Sequence, residues 1–167
     1  MTSRTCLPYP DKRLRTAAAP VTEITDEIRG HWQDMIDTME VMPGVGLGAP
    51  QIGVMLRLAV VDASEERGQA VRMANPEILH ASAKLRPHEE ASPNLPGVSA
   101  VIERPRAVTV RFMNEQGEVE ERDFVSLWAT SVQHQIDHLN GKLFIDHLKP
   151  LKRQMLIKKS QKSRKTR

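Results

Sequence analysis

The chain is expected to fold as an α+β domain, with mixed or antiparallel sheets packed around a central helix that carries an H-x-x-x-H pair. Three observations predict this. Strand-like segments cluster between two helical ones instead of alternating with them, which favours segregated layers over βαβ units. One of those segments has a clean period of two, in Val108, Val110 and Phe112. Finally, His134 and His138 stand four apart within a run that reads as helix, so both lie on one face.

Taken in order, Thr25 can cap a first helix whose opening turn carries Asp26 and Glu27, acids placed where the helix dipole favours them. Ile28, Trp32, Met35, Ile36 and Met39 then repeat at helical spacing, and the helix is expected to end near Met42. Residues 44–53, GVGLGAPQIG, read as a glycine-rich loop. It has neither the G-x-x-x-x-G-K-[ST] phosphate cradle nor a full G-x-G-x-x-G, so its glycines are assigned to close backbone approach. Strands are expected over 56–62, 70–75, 98–103, 106–113 and 118–125, with a hairpin turn at 114–117. The second helix runs from about Ser126 to Asn140 on Leu127, Val132, Ile136 and Leu139, and Gly141 stops it.

Composition bounds the function. With 167 residues, 40% apolar and 27% charged, the chain can build one cored domain, assigned here to residues 1–150, followed by a basic helix or tail over 151–167. A single cysteine, Cys6, excludes an intramolecular disulfide and any multi-cysteine metal centre. No apolar run is long enough for a secretory leader or a membrane span, so a cytoplasmic protein without membrane contact is expected. The net charge of +3 hides an asymmetry: residues 149–167 hold nine Lys or Arg and no acid, leaving 15 basic against 21 acidic side chains in the rest, a net of −6. Leu151, Met155 and Leu156 are expected to dock a short helix before the remaining cations run into solvent, as an arm suited to a phosphate backbone.

The H-x-x-x-H pair has the spacing of the zinc-binding H-E-x-x-H signature, whose histidines share a helix face while the Glu moves protons, but Gln135 stands where that Glu would be. Read together, GVGLGAPQIG, EASPNLPG and HQIDHLNG resemble, in order, the three motifs of the peptide deformylases, approximately G-x-G-L-A-A-x-Q, E-G-C-L-S and H-E-x-D-H. Flanking text fits as well, in NPEI (75–78), ERP (103–105) and GKLFIDHLKPLKR (141–153). The resemblance implies a deformylase fold and a divalent metal, Fe2+ in the family and replaceable by Ni2+, Co2+ or Zn2+, held by the motif-two cysteine and the two helix histidines. It also implies a Glu that manages the proton of a metal-bound water, and an oxyanion held by the first-motif Gln side chain and the N–H after the cysteine.

Carried to this chain, the resemblance makes His134 and His138 metal ligands, Gln51 the oxyanion donor, and Gly44, Gly46 and Leu47 part of the peptide-binding loop. Gly48 stands in place of an alanine. Motif two departs furthest. Ser92 occupies the position of the third ligand, Pro93 that of the oxyanion N–H and of a peptide-lining residue, and Asn94 that of a serine, while Gln135 occupies the position of the general acid and base. A serine hydroxyl is neutral at pH 7 and a far poorer ligand than a thiolate. A glutamine cannot accept and return a proton, which removes a contribution of about 10²- to 10⁴-fold. Proline has no N–H, and losing one oxyanion donor costs on the order of 10²- to 10³-fold. A substitute third ligand would have to come from His88, Glu89 or Glu90, although His88 reads as a solvated loop residue and Glu90 as the ion-pair partner of Arg104.

Three readings follow. The first is a deformylase-like protein with little or no formyl removal, whose groove still recognises an N-terminal formyl-Met peptide or nascent chain and whose basic tail meets ribosomal RNA. The second is an active or slow metal-dependent hydrolase on formyl-Met peptides or another amide. The third keeps the fold alone as a structural or interaction protein.

Overall fold

The first helix, α1 (Asp26–Val41), begins as the sequence predicts: the Thr25 hydroxyl accepts the Ile28 N–H, and Ile28, Trp32, Met35 and Met39 turn inward. They pack on Leu47, Leu58 and Val60, and the Trp32 indole N–H donates to the Met73 carbonyl at 3.2 Å, so the largest buried ring has no unpaired polar atom. A computed structural model describes residues 2–42 and 44–165, the last of these by its backbone alone.

Five strands form one sheet in the order β1-β2-β3-β6-β7: β1 (Gly46–Gly48), β2 (Leu58–Val61), β3 (Val71–Ala81), β6 (Ala107–Met113) and β7 (Val119–Val125). A separate hairpin pairs β4 (Leu85–Ser92) with β5 (Leu95–Pro105). Every named pairing is antiparallel, which settles the mixed-or-antiparallel expectation. The sequence reading missed β4, because Pro87, Glu89 and Glu90 weaken its strand signature, and missed β1, because glycines hide a three-residue strand. The segment read as one glycine-rich loop is therefore a short strand followed by a 3₁₀ turn over Ala49–Ile52.

The central helix α2 (Ser126–Leu139) packs on β1, β2 and β7 and is buried along most of its length. Gly141 ends it at φ +75°, and a Cβ there would sit 2.7 Å from the Arg15 backbone, so glycine is required twice over.

The C-terminal segment corrects the expectation of a short docked helix. It is helical from Pro150 to Lys165, α3, and the docking residues are Leu156, Ile157 and Ser160, whose hydroxyl donates to the Pro96 carbonyl at 2.8 Å. Leu151 and Met155 face solvent instead, since a straight helix seated on β5 through 156, 157 and 160 turns 151 and 155 outward. No helix among the described residues is long and apolar enough to cross a membrane.

Candidate active site

Four segments converge on one cavity of about 350 Å³. The loop entering β1 supplies Gly44 and Gly46, the 3₁₀ turn supplies Gln51, the end of β4 supplies Ser92 and Pro93, and α2 supplies His134 and Gln135. Glycine is needed at 46 because β1 lies flush against α2: a Cβ there would fall 2.4 Å from Ser131 Oγ and 2.6 Å from Gln135 Nε2.

Behind the histidines stands a complete supporting shell. Glu90 is buried between His134, whose Nδ1 lies 2.8 Å from Oε1, and Arg104, whose Nε and Nη2 meet the carboxylate at 2.7 and 3.0 Å. Arg104 reaches on to Asp137 at 3.0 Å, and His147 Nε2 lies 2.8 Å from the same Asp137 oxygen. Burial pushes the Glu90 carboxyl up, but hydrogen bonds from His134 and Arg104 outweigh it and hold the group below its ordinary range, so it is a carboxylate. The expected Glu90–Arg104 pair is present, and it excludes Glu90 as a third metal ligand, because both oxygens are spent on other partners.

The carboxylate fixes one histidine proton. It can only accept, so the His134 Nδ1 that faces it carries a proton. His138 Nε2 lies 3.1 Å away, and burial, with the neighbouring His134 charge, pushes His138 well below the usual histidine range. His138 Nδ1 is a buried atom without a partner among the described residues. Two imidazole nitrogens on a tetrahedral ion would stand about 3.3 Å apart, so this pair is spaced as two ligands. The third donor does not fit. Ser92 Oγ is neutral and hydrogen-bonded to Asn94 Oδ1 at 3.1 Å, and no group of three His, Cys, Asp or Glu side chains able to hold a metal exists among the described residues.

The reacting face is equally well defined. Gln51 is held at both ends: Oε1 accepts the Gly48 N–H at 2.8 Å, and Nε2 donates to Asn94 Oδ1 at 2.8 Å and lies 3.4 Å from Ser92 Oγ. Asn94, noted in the sequence only as a replacement, is the hub here, since its Nδ2 also donates to the Leu7 carbonyl at 2.5 Å and ties the N-terminal segment to the site. Gln135, 4% exposed, keeps a buried Oε1 without a partner among the described residues.

Of the residues singled out in the sequence, Gly44, Gly46, Gln51, Ser92, Pro93, His134 and Gln135 line one cavity. His138 lies beneath His134 instead of on the wall, and the Leu47 side chain faces away, fully buried beside Trp32 and Met39. An alternating strand that offers its glycines to the cavity has to send the residue between them into the core. His88, read as a solvated loop residue, is half-buried in β4 and lines the cavity. Ser131 was missed, although it precedes Gln135 by one helical turn and that spacing would have found it.

The arrangement is a helix-borne histidine pair with a buried carboxylate behind it and a glycine-edged cavity in front. The polypeptide deformylase family model matches residues 3–154, and the chain belongs to that family. It is similar to the peptide deformylase of Afipia carboxidovorans, 45% identical over 99% of this chain and 98% of the relative. Among solved structures it is similar to a peptide deformylase from Legionella pneumophila, at 40% identity and a TM-score of 0.92 over 98% of this chain and 96% of the other. It is also similar to the peptide deformylase from Ehrlichia chaffeensis in complex with actinonin, at 31% identity and a TM-score of 0.92 over 98% of each chain. The family is one of metal-dependent hydrolases acting on N-terminal formyl-Met peptides.

Proposed function

We propose that this chain is a cytoplasmic, peptide-binding member of the deformylase family with little or no formyl-removing activity. One observation carries the reading: the three chemically altered positions, Ser92, Pro93 and Gln135, all line a single cavity whose remaining walls are intact. Three separate demands of the reaction fail at that one place. Ser92 supplies no anionic ligand, Pro93 supplies no oxyanion N–H, and Gln135 cannot carry a proton. No hydrolytic step is routed through a metal, because the third donor does not fit one. What these residues can do is bind: Gly44 and Gly46 line the cavity without side chains of their own, and the Gln51 side-chain amide offers an N–H to a formyl or peptide carbonyl. The complex of the Ehrlichia relative with actinonin supports ligand binding by this fold.

The partner is an N-terminal formyl-Met peptide or nascent chain. The basic helix α3, which carries Lys152, Lys158, Lys159 and Lys162 on exposed positions and no acid, contributes a ribosomal RNA contact through its charge.

The test is isothermal titration with formyl-Met-Ala-Ser beside a formate-release assay on the same sample. Micromolar binding with turnover at least about 10³-fold below an active family member supports the reading. Turnover that is fast, removed by chelator and abolished in His138→Ala would replace it with the metal-dependent hydrolase. Absence of both binding and turnover would leave the fold alone.

A further inference from the structure

We infer that Arg67, on the loop between β2 and β3, is a positioning residue that sets the lip of the peptide groove. The inference deepens the peptide-binding reading and rests on it. Gly44, Val45 and Gly46 form the lip where the chain leaves α1 and enters β1, and all three line the cavity. The Arg67 guanidinium joins three segments there. Its Nη2 donates to the Gly44 carbonyl at 2.7 Å and to Glu40 Oε1 at 2.9 Å, its Nε lies 3.3 Å from Glu40 Oε2, and its Nη1 donates to the Asp62 carbonyl at 2.8 Å. One planar fork therefore ties the last turn of α1, the lip, and the end of β2.

The neighbouring bonds show how the lip is held from the other side. Val45 accepts from the Asp62 N–H at 2.9 Å and from Ser131 Oγ at 2.8 Å, so the β1 end of the lip is anchored to β2 and to α2. Gly44, the outer residue, has its N–H on the Met39 carbonyl at 2.9 Å, and its carbonyl depends on Arg67. The loop is built to deliver that side chain. Arg67 sits at φ +62°, a left-handed conformation that costs a non-glycine residue energy, and Gly68 follows at φ +73°. Its N–H is fixed by Ser64 Oγ at 3.1 Å, and Ser64 in turn by the buried carboxylate of Asp62 at 2.5 Å. A strained backbone whose side chain makes four polar contacts, one of them to the cavity-lining Gly44 and one to the carbonyl of Asp62, whose N–H holds Val45, fits positioning better than a surface ion pair would.

The fork geometry sets the expectation for variants. A lysine ammonium cannot span carboxylate, lip and strand carbonyls from one plane, so Arg67→Lys behaves nearly as badly as Arg67→Ala. Glu40→Gln keeps a neutral acceptor and costs less. The side chains of Arg67 and Glu40 are only half-buried, so loss of the clamp loosens the lip without unfolding the domain.

The experiment measures formyl-Met-Ala-Ser affinity by titration and amide hydrogen exchange over residues 44–48, for the wild type, Arg67→Ala, Arg67→Lys, Glu40→Gln and the remote control Arg122→Ala. The expected result is affinity reduced about tenfold in both Arg67 variants, as lost preorganisation of the groove requires. Exchange should rise at 44–48 while exchange in α2 and the thermal midpoint hold. Wild-type affinity together with unchanged exchange at 44–48 in Arg67→Ala would overturn the inference. Faster exchange spread across the whole chain would also overturn it, since that is a stability effect. If the wild type binds no formyl peptide, the peptide-binding reading fails by itself, and the ligand-free exchange at 44–48 still decides whether Arg67 holds the lip.

Discussion

The two sides of His134 have different fates. Behind the ring, a continuous chain of charge-assisted hydrogen bonds runs from buried Glu90 and Arg104 through half-buried Asp137 to His147 at the surface. In front of it, Ser92, Pro93 and Gln135 present a neutral hydroxyl, a ring without an N–H and a neutral amide to the cavity. The rear network is tied to folding, because breaking a buried pair strands a charge in a low-dielectric interior. The front residues carry no such burden. Pro93 and Gln135 can change without leaving an unpaired charge, which is why the proposed loss of activity is compatible with an intact shell behind the ring.

The strongest way to break this contrast is to restore the front. Ser92→Cys, Pro93→Leu and Gln135→Glu together should raise formate release from formyl-Met-Ala-Ser by at least about 10²-fold, less than the product of the separate effects because the groups act as a unit. A folded triple variant with no gain would mean that the lesion extends further, the hold of Asn94 on Gln51 being the next place to look. Breaking the rear should cost stability. Glu90→Ala leaves Arg104 buried beside His134 without its principal carboxylate and is expected to lose about 3–5 kcal/mol in urea unfolding. A loss under about 1 kcal/mol would contradict the structural role claimed for the shell.

Gly46→Ala probes the seam between the two sides. Its Cβ displaces Ser131 and Gln135 side-chain ends, so a loss of about 1–3 kcal/mol with weakened peptide binding is expected from calorimetry and titration. Gly48→Ala meets only His138 Cβ at 3.2 Å and should lose less. The smallest effect sits just outside the cavity, at the side chain of Asp62, whose backbone N–H anchors the lip at Val45. Burial pushes that carboxyl up, but hydrogen bonds from Ser64 and the Gln69 N–H more than offset it and bring it below the ordinary range. Its stabilisation is therefore full above the unfolded value of about 3.9 and is lost as pH falls through the lower folded value. The stability difference between wild type and Asp62→Asn should shrink over that interval in acid unfolding curves, and a difference independent of pH would contradict the assignment.

Much of this was legible in the sequence, and for identifiable reasons. Periodicity and caps located α1 and α2 nearly to the residue, because Thr25 and Gly141 do their work locally. The cavity residues were legible because the resemblance fixed their register. What escaped depends on packing across long separations. β4 shows as a strand only once β5 pairs with it, Leu47 turns inward only because β1 alternates against α1, and Asn94 acts through Gln51 and Leu7, 43 and 87 residues away. The solvent-facing turn of Leu151 and Met155 could not be read from apolarity alone, since β5 selects which face of α3 it covers.

Metal stoichiometry tests the central contrast most directly. Elemental mass spectrometry on protein purified anaerobically and challenged with iron(II), nickel(II) and zinc(II) should find far less than one metal per wild-type chain and near one in Ser92→Cys, since a thiolate supplies the anionic donor that the histidine pair lacks. Near one metal per wild-type chain, lost in His138→Ala, would contradict the account and show that the face in front of His134 still holds a metal.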